Sequence, residues 1–132
     1  MNITIDESSD TPIWEQIVQQ VKRMVLAGTL GKRDRLESVR ELSDRIGINK
    51  NTVAKAYQYL ERQGIIETRR GRGTFVTETL VLQRDLRRER KIKDDLRVLL
   101  IEASYLGISS DTVKQWVDQS VLLIDKTDSV IM

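Results

Sequence analysis

Apolar residues along this chain recur in runs that stop at glycine. From Thr11-Pro12 onward, Trp14, Ile17, Val18, Val21 and Val25 repeat at helical spacing as far as Gly28, which predicts a first helix with Pro12 at its first position. Ser38-Val39-Arg40-Glu41 has the capping-box pattern, and Leu42 and Ile46 carry the apolar stripe of a helix of about two turns that ends at Gly47. A third helix follows Ile48 and Asn49. Val53, Ala56, Tyr57 and Leu60 form its buried face, Lys50, Asn51, Lys55 and Gln58 lie opposite, and Gly64 closes it. Residues 65–70 and 74–77 are short stretches rich in β-branched side chains separated by Gly71-Arg72-Gly73, a hairpin whose tip carries arginines.

Beyond the hairpin, residues 79–106 contain neither Gly nor Pro, and Ile92, Leu96, Leu99, Ala103 and Leu106 follow one another at spacings of four and three. This predicts a helix of about 28 residues, roughly 42 Å at the helical rise. Gly107 ends it, Ser109 or Ser110 caps the next, and Val113, Trp116, Val117, Ser120 and Ile124 supply a fifth helix before a tail that frays from about Lys126. The fold class is therefore mainly α with one small β-hairpin. The organisation is a winged helix-turn-helix domain over residues 1–77 and a two-helix dimerisation domain over residues 78–132.

Composition narrows the chemistry. The 132 residues include no Cys and no His, which removes disulfides, thiolate or imidazole metal sites, cysteine nucleophiles and the commonest general base. No carboxylate pair or cleft lysine replaces them, so no catalytic residue, cofactor or metal is expected. No apolar run is long enough to span a membrane and the first ten residues lack the pattern of a signal peptide, so the expectation is a cytoplasmic protein. The net charge of +2 says little, but residues 32–77 hold 11 basic and 6 acidic side chains, so the middle of the chain is the basic part. Arg69, Arg70 and Arg72 crowd around the hairpin glycines, and Arg84, Arg87, Arg88, Arg90, Lys91 and Lys93 follow shortly after.

Two short helices joined through Gly47, with Ser43 opposite the turn, make a helix-turn-helix pattern. A helix fits the major groove of B-DNA, where the first turn presents Asn49, Lys50, Asn51 and Thr52 to base edges; Asn pairs with adenine and Lys with guanine acceptors. Asn49 reads equally as a plain helix cap. At the hairpin, glycines let the backbone approach phosphates while Arg70 and Arg72 reach toward the minor groove.

Leu36-Glu37-Ser38-Val39-Arg40-Glu41-Leu42, Asn51-Thr52-Val53, Ala56-Tyr57, Leu60-Glu61, Gly64 and Gly71-Arg72-Gly73-Thr74-Phe75-Val76 together resemble the signature of GntR-family transcription regulators across residues 11–77. The short two-helix remainder is similar to the YtrA-like subfamily. That resemblance implies a sequence-specific transcription regulator, a dimeric repressor of a neighbouring transporter operon. It also implies DNA contacts at Arg40, Lys50, Gly71 and the neighbouring polar residues of helix three. The DNA-binding set is thus Ser38, Arg40, Asn49, Lys50, Asn51, Thr52, Lys55, Arg70, Gly71 and Arg72. The chain departs from the family at Glu37, where Pro is usual, at Arg33, where Gly is usual, and at Lys50, where many members carry Arg. Glu37 puts a negative charge at a phosphate-facing helix start, which weakens DNA affinity unless Arg33 or Arg35 pairs with it.

The stripe of Ile92, Leu96, Leu99, Ala103 and Leu106, with Val113, Trp116, Val117 and Ile124, leaves more apolar surface than two helices bury between themselves. A second copy is the expected partner, so the chain is read as a homodimer with its two reading helices about 34 Å apart on a double-stranded operator. Trp116, at helical spacing, reads as core, and no effector-binding residue is assigned. The rival from another class is an architectural DNA-binding protein without a dedicated operator. Base-reading side chains at Lys50 and Asn51 argue against it.

Overall fold

The computed structural model describes residues 1–78 and 85–131, with side chains as far as residue 122 in the last helix. Two compact units divide the chain, Met1–Leu80 and Val81–Met132. The first holds α1 (Ile13–Ala27), β1 (Arg35–Leu36), α2 (Val39–Ile46), α3 (Lys50–Arg62), β2 (Ile66–Arg69) and β3 (Gly73–Val76). Pro12 is the N-cap of α1 rather than its first residue, because its extended ψ of 146° places it just outside the helix while its carbonyl accepts the Gln16 N–H.

The periodic apolar residues of the three helices become one core. Ile17 and Val21 of α1, Leu42 of α2, and Val53, Ala56 and Leu60 of α3 are fully buried together with Leu36, Ile66 and Val76 from the strands. α3 packs on both α1 and α2. The expected hairpin gains a third strand: β1 pairs antiparallel with β3, Arg35 opposite Phe75 and Leu36 opposite Thr74, and the sheet order is β1-β3-β2. On its other side β3 pairs with β2 from Ile66↔Val76 to Arg69↔Gly73.

The segment before α1 has no helix or strand of its own, yet Ile3 is buried and Met1 and Ile5 pack on the core. Two glutamines one turn apart on α1 hold it. Gln20 exchanges two hydrogen bonds with the backbone of Thr4, and Gln16 accepts from the Asp6 N–H at 2.9 Å while donating to the Asp6 and Thr11 carbonyls. Their amides serve as the partner strand that the segment lacks.

The second unit holds α4 (Leu86–Tyr105) and α5 (Ser110–Ile131), which pack on each other. The Asp85 carboxylate caps α4 through the Arg87 and Arg88 N–H groups, and Ser109 caps α5 by accepting from the Thr112 N–H. The expected start near Thr79, like Arg84, lies outside the described residues. No glycine or proline interrupts residues 110–131, and the helical backbone runs on to Ile131, past the expected fraying point at Lys126. Among the described residues of this unit none is fully buried. Ala103, Ile108 and Val113 are half-buried at the turn, whereas Ile92, Leu96, Leu99 and Leu106 are exposed with Val117. Trp116 is 48 % exposed, so it belongs to no core within one chain. The Ile124 side chain lies outside the described residues.

Candidate nucleic-acid interface

Local chemistry sets the helix-turn-helix. Ser38, extended at ψ 163°, accepts the Glu41 N–H at 3.0 Å and so starts α2. α2 stops at Gly47, whose φ of 68° suits the left-handed C-cap, and Ser43 takes charge of the turn. The Ser43 carbonyl accepts from the N–H groups of both Gly47 and Ile48, and its hydroxyl donates to the Ile48 carbonyl. Asn49 then caps α3, its side-chain oxygen accepting the Asn51 N–H at 2.8 Å. The structure shows the cap that the sequence offered as one reading of Asn49.

Burying Val53, Ala56, Tyr57 and Leu60 turns Lys50, Asn51, Lys55 and Gln58 to solvent, with Thr52 half-buried beside them. Gln58 stands seven residues after Asn51 and therefore on the same face. Spacing alone identifies it as a member of this surface, although it was not among the expected contacts. Lys55 is exposed, but its ammonium lies over the Trp14 ring of α1.

The wing tip is Arg70-Gly71-Arg72, closed by the Arg72 N–H donating to the Arg69 carbonyl at 2.9 Å. Gly73 follows at φ 116°, and a Cβ there would meet the Arg35 side chain at 3.1 Å. Arg70, Gly71 and Arg72 are exposed.

Ion pairs hold several of the arginines of this unit. Arg33 pairs with Glu78, Arg35 with Glu41, Arg45 with Glu37 and Arg69 with Glu67, the last guanidinium also lying 5.7 Å from the Phe75 ring centroid. Arg40, Lys50, Arg70 and Arg72 are exposed and have no carboxylate partner among the described residues. These four stand at the start of α2, the start of α3 and the wing tip. The partner of Glu37 is therefore neither of the two arginines that the sequence offered, Arg33 and Arg35, but Arg45. Arg45 grips it with Nε at 2.9 Å and Nη2 at 2.8 Å, because one face of α2 carries Arg45 back over the loop while Arg33 and Arg35 are drawn to other carboxylates. Arg45 hydrogen bonding holds the Glu37 carboxyl below the usual glutamate range, and Arg35 does the same for Glu41. Burial pushes the Tyr57 phenol up, keeping it a donor to the Glu37 carbonyl at 2.6 Å. Among the described residues no group of acidic side chains is arranged to hold a metal, and no helix is long and apolar enough to cross a membrane.

Residues 13–76 match the model of the gntR family of bacterial regulatory proteins. Over 117 residues the chain is 45% identical to the HTH-type transcriptional repressor YtrA of Bacillus subtilis (strain 168), covering 89% of this chain and 90% of that relative. The chain belongs to the GntR family. The chain is similar to the crystal structure of a transcriptional antiterminator from Listeria monocytogenes EGD-e, with a TM-score of 0.87 at 35% identity, over 95% of this chain and 93% of that one. YtrA from Sulfolobus acidocaldarius, a GntR-family transcription factor, has a TM-score of 0.55 at 31% identity, over 93% of this chain and 99% of that one. As a GntR protein with this winged helix-turn-helix, the chain is a DNA-binding transcription regulator.

Proposed function

We propose that this GntR protein is a dimeric repressor that recognises a specific double-stranded operator. The observation that carries this reading is the partition of cations: Arg40, Lys50, Arg70 and Arg72 stand unneutralised on the elements that meet DNA, while the arginines around them are held by carboxylates. α3 enters the major groove with Lys50, Asn51 and Gln58 toward base edges. Ser38 and Arg40 take a phosphate at the start of α2, and the wing lays Gly71 and its two arginines along the flanking backbone. Asn49 and Thr52 support the first turn. Residues 1–77 are the reading domain and residues 78–132 the pairing domain, in which a second copy covers the apolar faces of α4 and α5. The repressor reading takes support from the name of the Bacillus relative.

Selecting binding sites from random DNA with the full chain tests the operator directly. Lys50→Ala and Asn51→Ala are each expected to cost about 1–3 kcal/mol on the selected site and much less on random duplex. Equal losses on both would make these residues phosphate contacts and favour an architectural role.

A further inference from the structure

On α3, Asn51 and Gln58 mark the centre of the face opposite the buried stripe. Lys55 follows Asn51 by four residues and precedes Tyr59 by four, so its stem leaves the helix on the flank of that face. There its ammonium lies 4.6 Å from the centroid of the Trp14 ring on α1. Trp14 in turn rests on Tyr59, with centroids 5.5 Å apart and planes tilted by 60°. Tyr59 has the Lys22 ammonium at 5.6 Å and the Arg62 guanidinium at 6.0 Å from its centroid. Two rings from two helices thus gather three cations along one edge of α3.

A ring face attracts a cation because its quadrupole is negative there, and a lysine on four flexible carbons otherwise samples many directions. A helix seated in a major groove about 12 Å wide has base edges in front of it and phosphate walls on either side. Side chains at the centre of its outer face meet bases, and side chains on its flank meet the wall. We infer that Trp14 is a positioning residue for DNA binding: its ring holds the Lys55 ammonium at the rim of α3, where it meets a backbone phosphate instead of a base edge. This rests on the placing of α3 in the groove proposed above. It gives Trp14, whose helical spacing assigns it to the core, a task at the surface.

A double-mutant cycle on the full chain tests it, reading affinity by fluorescence anisotropy on the selected operator and on random duplex over a range of salt. Lys55→Gln is expected to weaken both DNAs alike, by about three- to tenfold, and to lower the slope of log affinity against log salt by about one. Trp14→Leu is expected to weaken binding in the same sense in the wild-type background and to add nothing in the Lys55→Gln background. Trp14→Phe, which keeps a ring face, restores most of the affinity. If Trp14→Leu does not fold, as judged by circular dichroism, Trp14→Met takes its place in the cycle. Losses that multiply independently in the double variant, or a Lys55→Gln loss confined to the operator, overturn the assignment. The operator reading fails separately, when the wild-type protein prefers no duplex over another; the cycle is then still read on random DNA.

Discussion

Glu37 occupies a place where a proline would fix the backbone by its ring, and in this chain hydrogen bonds do that work instead. The Arg45 fork grips its carboxylate and the Tyr57 hydroxyl donates to its carbonyl, so both ends of the residue are tied as the chain enters α2. A carboxyl whose folded pKa is depressed stabilises the fold above its unfolded value, near 4.5, and that contribution is lost as pH falls through the folded pKa. Glu37→Gln is therefore expected to lower the melting temperature at pH 7, with a stability loss under about 1 kcal/mol because Arg45 is partly exposed. The gap between variant and wild type narrows as pH falls below 4.5 and closes once it is below the folded pKa, and thermal melts across that range check it. A gap that persists unchanged in acid would show that packing, not charge, holds the loop. That Glu37 needed a cationic partner could be read from the sequence, but which one could not. Pairing depends on which helix face points back over the loop, and three arginines lie within reach along the chain. Arg33 makes the same point from the backbone side: it sits at φ 69°, a left-handed conformation that the usual glycine adopts freely, and its N–H donates to the Val76 carbonyl.

The helices were legible because their signals are local. Apolar spacing located α1 and α3, and the Ser38–Glu41 pattern located the start of α2 to the residue. β1 was not, since two residues show no alternation and their pairing with Phe75 and Thr74 is a contact across the whole reading unit. The segment before α1 escaped for a related reason, its partners being side-chain amides that no backbone pattern announces. β1 has a mechanical role: by pairing with β3 it ties the wing to the chain entering α2, so the wing arginines and Ser38 are carried by one three-stranded sheet. Arg72→Ala is accordingly expected to weaken operator and random DNA alike and to lower the salt slope by about one, as for the loss of a single backbone contact. Salt-dependent affinities measured side by side on the two duplexes decide this. An unchanged affinity at moderate salt would mean that the wing does not touch DNA.

For the whole molecule, the second unit poses the largest energetic question. Leu99 is 60 % exposed and Tyr105 89 %, and the four-three stripe stays open at Ile92, Leu96, Leu99 and Leu106 even though α5 is packed against α4. Sequence spacing marked this stripe as apolar, and only its excess over what two helices bury between themselves pointed it outward, because inward and outward uses have the same period. Leu99→Glu is expected to break the pairing of two chains, since an unpaired carboxylate at an apolar interface is relieved by dissociation. Sedimentation then finds a folded monomer that binds one half-site weakly, without the gain in affinity of a linked second site. A variant that stays dimeric, or one that loses the helical signal of the reading unit as well, would place the stripe elsewhere. The glutamine clasp of α1 bears on how the regulator leaves DNA. Gln16 and Gln20 fasten the N-terminal segment with uncharged amides, which dissolved ions do not screen, whereas the phosphate contacts weaken steeply as ions accumulate. A rise in ionic strength thus lifts an intact reading head off the duplex, folded and ready to land again when the ions thin.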